Sequence, residues 1–103
     1  MNIQKMLKQA QKMQEQMQNT QAELAQKTVE ASIANGKITV TANGAGDILG
    51  IKIAREVVDP EDVEMLEDLV LTGVKQAIEK AKALAADEMG KITGGLGLPG
   101  MGF

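Results

Sequence analysis

The sequence has no cysteine and no histidine, and its one aromatic residue, Phe103, is the last of 103. Without cysteine there is no disulfide and no thiolate nucleophile. Without histidine as well, zinc sites and most nucleophile–base pairs are excluded. Only carboxylates and lysines remain for acid–base chemistry, so no catalytic residue, metal ligand or cofactor site is assigned and the chain is read as a non-enzyme. Arginine occurs once, as Arg55, which disfavours bidentate reading of guanine. No apolar run approaches the ~20 residues of a membrane span. The start, Met1-Asn2-Ile3-Gln4-Lys5, lacks the apolar stretch of a signal peptide. The expectation is a soluble cytoplasmic protein with neither a membrane nor a small-molecule substrate as partner.

What is present is an aliphatic core-builder's alphabet. Hydrophobic residues make up 44% of the chain, supplied by Ile, Val, Leu, Met and Ala. A single small domain filled with such side chains has a modest core and gains from a second subunit.

The stretch from Thr28 to Ile53 organises the rest. Asn35-Gly36 is the dipeptide of a two-residue type I′ hairpin loop, since both residues tolerate positive φ. If that loop sets the register, Ile33 faces Ile38, Ala31 faces Val40 and Val29 faces Ala42, all on one side. Ser32–Thr39 and Glu30–Thr41 then fall on the other. After Asn43-Gly44-Ala45-Gly46-Asp47, a third strand from Ile48 to Ile53 is expected to add Leu49, Ile51 and Ile53 to the apolar face. The glycines of that turn are not a dinucleotide fingerprint, because Leu49 stands where a third glycine is needed and a strand follows instead of a helix. Gly90-Lys91-Ile92-Thr93 fails as a phosphate loop because Ala85 occupies its first glycine position.

Helices flank the meander. Residues 2 to about 26 carry Ile3, Met6, Ala10, Met13, Met17, Thr20 and Leu24 in steps of three and four, a narrow seam rich in adaptable methionine. Packing within the chain and a coiled coil with another subunit both fit that seam. The second helix is expected to begin with Asp59 as N-cap and Pro60 in its first turn. Its stripe, Val63, Leu66, Val70, Val74, Ala77, Ala81 and Leu84, is widened by Leu69, Gly73, Ile78 and Ala85. The cluster Glu61, Asp62, Glu64, Glu67, Asp68 reads as a solvated face. Residues 1–89 form one domain in this reading, and 90–103, with six glycines, form a flexible tail.

Proportion and charge suggest function. Helices of about 25 residues span ~37 Å, whereas six-residue strands span ~20 Å. Each helix should therefore overhang the sheet, leaving Met6, Met13, Ala77, Ala81 and Leu84 partly uncovered in a monomer. A homodimer with projecting arms follows. Net charge is −3, but residues 1–55 sum to +3 and residues 56–103 to −6. Lys5, Lys8, Lys12, Lys80, Lys82 and Lys91 all fall on the expected arms. They suit either polyanion binding or simple solubility.

Several segments together resemble the YbaB/EbfC family of bacterial nucleoid-associated proteins. They are Met6-Leu7-Lys8-Gln9-Ala10-Gln11-Lys12-Met13-Gln14, Asn43-Gly44, Gly46-Asp47, Val58-Asp59-Pro60-Glu61-Asp62, Leu66-Glu67-Asp68-Leu69-Val70, Met89, Thr93-Gly94-Gly95-Leu96 and Pro99-Gly100. The resemblance implies an α+β protein of order α-β-β-β-α that forms a tweezer-shaped homodimer. It implies a nucleoid location, binding to double-stranded DNA with a change in DNA conformation, and a role in nucleoid organisation and gene regulation. It assigns DNA contacts to the projecting helix ends, here Lys5, Lys8, Lys12, Lys80, Lys82 and Lys91. For the dimer interface, Ile38, Val40, Ile51, Ile53, Leu66, Leu69, Val70 and Gly73 are the expected residues. Thr72-Gly73 and Lys75-Gln76 depart from the family's usual alanine-rich, asparagine-containing pattern.

Lysine-dominated contacts imply electrostatic binding with little sequence preference. The lack of aromatic platforms disfavours single strands. The alternative is a protein–protein adaptor that docks partners through its Met-rich first helix.

Overall fold

The computed structural model describes residues 2–95. The order is α1 (Ile3–Gln26), β1 (Thr28–Ile33), β2 (Ile38–Asn43), β3 (Ile48–Ile53), a 3-10 turn (Arg55–Val57) and α2 (Val63–Gly95). The three strands form one antiparallel sheet in the order β1-β2-β3. This is the expected α-β-β-β-α architecture. The molecule is long and thin, 71 × 26 × 17 Å. Its Cα radius of gyration is 19.6 Å, against about 13 Å for a compact domain of this length.

The first hairpin has the expected register, with Val29, Ala31 and Ile33 opposite Ala42, Val40 and Ile38. Asn35 and Gly36 sit at φ 57° and 83°, and the Lys37 N–H donates to the Ala34 carbonyl at 3.2 Å. Ala34 is also left-handed, at φ 54°, which the two-residue loop did not require and which costs roughly 1 kcal/mol in an alanine. The second pairing departs from the expected face. Ile53 and Ile51 lie opposite Ile38 and Val40, but a bulge near Thr41–Ala42 brings Ile48 opposite Ala42. Leu49 is the extra residue of the bulge and is 56% exposed. One inserted residue reverses the alternation beyond it, so Ile48 replaces Leu49 on the apolar face.

The second helix starts later than expected. Asp59 Oδ1 accepts from the Glu61 N–H and the Asp59 carbonyl from the Asp62 N–H, so 59–62 is a turn. Asp62 then caps α2, its Oδ1 accepting from the Met65 N–H at 3.2 Å. That bond satisfies one orphan donor of the first turn. At the other end α2 runs to Gly95, so the first residues expected in the tail are helical. Residues 96–103 lie outside the described residues.

The core is small. Ala31, Ile38, Val40, Ala42, Ala77 and Ala81 are buried together, and Ile38 and Val40 are its only large side chains that are fully enclosed among the described residues. Ala77 and Ala81 therefore belong to the core and are not overhanging residues. Alanines let α2 come close to β1 and β2, and at Gly73 the approach is closest: a Cβ there would lie 2.9 Å from Val40 Cγ2. Gly73, Ile38 and Val40 are thus enclosed by the chain's own packing.

The sheet is joined to α1 by a knot at the β2–β3 turn. The Gly44 N–H donates to the carbonyls of Leu24 and Lys27 at 2.8 and 2.9 Å. A Cβ on Gly44 would meet Leu24 Cδ2 at 2.7 Å and the Leu24 carbonyl oxygen at 2.8 Å. Asn43, 5% exposed, donates to the Ala25 carbonyl and Asp47 Oδ2, and its Oδ1 accepts from the N–H groups of Ala45 and Asp47. This buried amide is fully employed, as a buried polar group must be.

Candidate nucleic-acid interface

From this knot α1 and the end of α2 run away from the sheet as an antiparallel pair. Glu88 reaches Lys27 at the base, and Ile92 lies with Gln16, Asn19 and Thr20 along an open polar groove between the helices. α1 continues past that point, and residues 2–12 are exposed throughout. The Asn2 side chain caps this helix, its Oδ1 accepting from the Lys5 N–H at 3.2 Å.

Lys5, Lys8 and Lys12 occupy that outer part. Spaced by three and four residues, they share one flank of the helix, roughly opposite the seam of Ile3, Met6, Ala10 and Met13. Among the described residues no carboxylate pairs with them, and the nearest acid along the helix is Glu15. They form an exposed stripe of uncommitted positive charge.

The other three expected contacts divide. Lys82 is exposed on α2. Lys91 is 74% exposed and lies 3.5 Å from Glu88, so its charge is partly answered. Lys80 is not on an arm: its Nζ donates to the Glu30 carbonyl at 2.8 Å, beside β1. The overhang of α2 begins later than length alone suggested, because the middle of the helix, not its start, crosses the sheet.

Two lysines that sequence spacing did not single out are committed to structure. Lys27 Nζ lies 2.9 Å from Glu88 Oε1, and Lys37 Nζ 2.8 Å from Glu56 Oε2. The hydrogen bond from each lysine, with its charge, holds the partner carboxyl below the usual carboxylate range; desolvation opposes this at both glutamates. The Lys27–Glu88 pair joins residues 61 apart in sequence, a separation that no local pattern signals.

The far end of the molecule is acidic. Glu56, Asp59, Glu61, Asp62, Glu64, Glu67 and Asp68 are all exposed. Among the described residues no group of three or more potential ligands could hold a metal ion. An approaching polyanion is drawn to the arm and repelled from this end.

Beside the acidic end lies an uncovered apolar surface. α2 covers β1 and β2, so Ile48, Ile51 and Ile53 on β3 remain 37–41% exposed although their cross-strand neighbours are enclosed. Leu66, Val70, Leu71 and Val74 line an adjoining, almost wholly apolar groove. Leu66, Leu69 and Val70 are half-buried. Of the residues expected at a dimer interface, Ile51 and Ile53 are exposed on β3 and Leu66 and Val70 line the groove, whereas Leu69 packs against the core and is not part of the groove lining. Among the described residues no helix is long and apolar enough to cross a membrane.

Comparison with known proteins identifies the family. The sequence model described as the YbaB/EbfC DNA-binding family matches residues 1–96. A nucleoid-associated protein of Clostridium novyi is 54% identical over 101 residues, covering 98% of this chain and 89% of that protein. Another, of Alkaliphilus metalliredigens, is 50% identical over 100 residues, with coverages of 97% and 88%. The crystal structure of an uncharacterized protein from Helicobacter pylori superposes with a TM-score of 0.74 at 13% identity, covering 84% of this chain and 91% of that one. At that identity the likeness is one of fold. The adaptor reading draws no support from these matches.

Proposed function

The chain belongs to the YbaB/EbfC DNA-binding family, and we propose on that footing that it is a nucleoid-associated protein that binds duplex DNA through its helical arms. The single observation that carries the reading is the unpaired stripe Lys5–Lys8–Lys12 at the basic end of a molecule whose other end is acidic. Lysine ammonium groups act as point charges on phosphates, so affinity comes from counterion release and sequence preference is slight. Lys82 and Lys91 extend the contact along α2. Arg55 stands in the 3-10 turn near the sheet, so no guanidinium on the arm reads bases.

The working unit in this proposal is a homodimer. A second copy supplies what β3 and the Leu66–Val70–Val74 groove lack, an apolar cover. Two copies joined there project two arms, and a duplex held at two places can be bent between them. The setting is the nucleoid, in the cytoplasm, with no small-molecule substrate and no catalytic role.

The test combines molar mass and mobility shift. Sedimentation of the pure protein should give twice the mass of one chain. Wild type should shift duplex DNA well below the concentration needed for a single strand of equal length. A folded dimer that leaves duplex DNA unshifted at low salt would overturn the DNA reading.

A further inference from the structure

The two edges of the sheet are finished differently. The Ala54 N–H donates to the Lys37 carbonyl at 2.8 Å, and beyond that bond Thr39 lies opposite Lys52, Val40 opposite Ile51 and Thr41 opposite Gly50. Bonded pairs alternate along an antiparallel ladder. Gly50 and Lys52 therefore turn their backbone groups toward β2, and Ile51 and Ile53 turn theirs outward. Among the described residues nothing pairs with those outward groups. On β1 the same alternation turns Glu30 outward, and there Lys80 Nζ donates to the Glu30 carbonyl at 2.8 Å. The β1 edge is thus blunted by a side chain, whereas the β3 edge is open. β3 has no proline and a single charge, Lys52. An open edge of this kind is a template for a further strand.

The charges around the strand select what fits. Asp47 stands just before β3, and Lys52 and Arg55 stand at its far end; all three are exposed. A second β3 laid antiparallel brings the Asp47 end of each strand to the Lys52–Arg55 end of the other. With a two-fold axis at Ile51, Ile51 meets its own counterpart, Ile53 meets Leu49, Lys52 meets Gly50 and Arg55 meets Asp47. Moving the axis to Lys52 would set two lysines directly opposite each other, which is destabilising. Moving it to Gly50 would set Asp47 against Ile53 and lose the charge pairing.

We propose that the open edge of β3 pairs antiparallel with the β3 edge of a second copy about a two-fold axis at Ile51, joining two three-stranded sheets into one. A sheet of roughly six strands is of ordinary size. The contact is made by backbone groups at the strand edge and stands apart from the apolar cover of the sheet face proposed above. The arm lysines take no part in it, so joined copies offer more than one stripe to a duplex.

The absence of cysteine makes the register readable by cross-linking. Gly50→Cys and Lys52→Cys proteins are made separately as full chains and mixed under mild oxidation. Both positions lie on the polar face of the sheet, opposite Thr41 and Thr39, away from the apolar face. A Cβ at Gly50 meets nothing within 4 Å. In the proposed register, positions 50 and 52 form a non-bonded pair with Cα atoms about 4.5 Å apart, inside disulfide range. Like positions are diagonal, at roughly 7–8 Å, outside it. The mixed disulfide should therefore form about tenfold faster than either homodisulfide, and its product should have twice the native mass of the uncross-linked protein. Faster cross-linking of Lys52→Cys to itself would move the axis to Lys52, and equally slow formation of all three disulfides would mean random collision; either result overturns the proposal. A native mass unchanged by the mixed disulfide would leave the edge pairing standing and overturn the apolar-cover dimer instead.

Discussion

The two ends of this molecule are built from different side chains for different purposes. At the sheet end, β2 and β3 both turn aliphatic side chains to one face, yet Ile38 and Val40 are fully enclosed while their cross-strand partners Ile53 and Ile51 stand 40% and 41% exposed. At the arm end there is little core at all: a helix of methionine and glutamine presents lysines to solvent. The difference teaches how a chain of 103 residues can make a binding arm. It concentrates its tight packing in one small patch, Ala31, Val40, Ala77 and Ala81, and hangs long helices from it. The cost is an uncovered β3, which a second copy would cover in the proposed homodimer.

The contrast can be broken most severely at the sheet end. Ile51→Asp places a charge in the middle of the uncovered face, and the protein is expected to become monomeric while keeping its helix content. Sedimentation and circular dichroism check both. A persistent dimer would move the interface off β3.

The joint between the ends is the next target. Gly44→Ala drives a methyl into the backbone and side chain of Leu24, and a loss of about 3 kcal/mol is expected in denaturant unfolding. A smaller effect separates two glycines of one helix. Gly73→Ala gains helix propensity but meets Val40 at 2.9 Å inside the core, so a net loss of about 1 kcal/mol is expected. Gly90→Ala meets nothing within 4 Å and should gain about 0.5 kcal/mol. Equal changes at both positions would show that α2 does not approach the sheet as described.

The smallest effect concerns pH. Lys27 holds the Glu88 carboxyl below its ordinary value. The pair's contribution is therefore present above the unfolded carboxylate pKa of about 4.3 and fades as pH falls through the lower folded value. Hydrogen exchange at the α1–α2 base should quicken over that acidic range in wild type. Glu88→Gln should lack this pH-dependent component.

The hairpin register and the order of elements were legible because turn chemistry and alternation agree: Asn35-Gly36 fixes the pairing, and a slipped register would mix polar and apolar faces. The β3 bulge was not legible, because choosing Ile48 over Leu49 depends on where the ladder breaks, and both are aliphatic. The start of α2 was misplaced because Asp59-Pro60 and Asp62 are both plausible starts, and the second won. Lys80 was put on an arm because helix length alone does not say which part of α2 crosses the sheet. Ala77 and Ala81 decide that, through packing that only the folded chain displays. The stripe Lys5–Lys8–Lys12 was readable from spacing alone, since nothing else competes for it.

The central claim is that these three lysines carry the DNA contact. Its most direct test is the salt dependence of duplex affinity for wild type and for a Lys5→Gln, Lys8→Gln, Lys12→Gln variant, both confirmed as folded. Wild type should weaken steeply with salt, and the variant should bind more weakly at low salt, with a log–log slope smaller by about 3 for each arm engaged. Equal slopes and affinities for the two proteins would contradict the account and move the contact away from the arm.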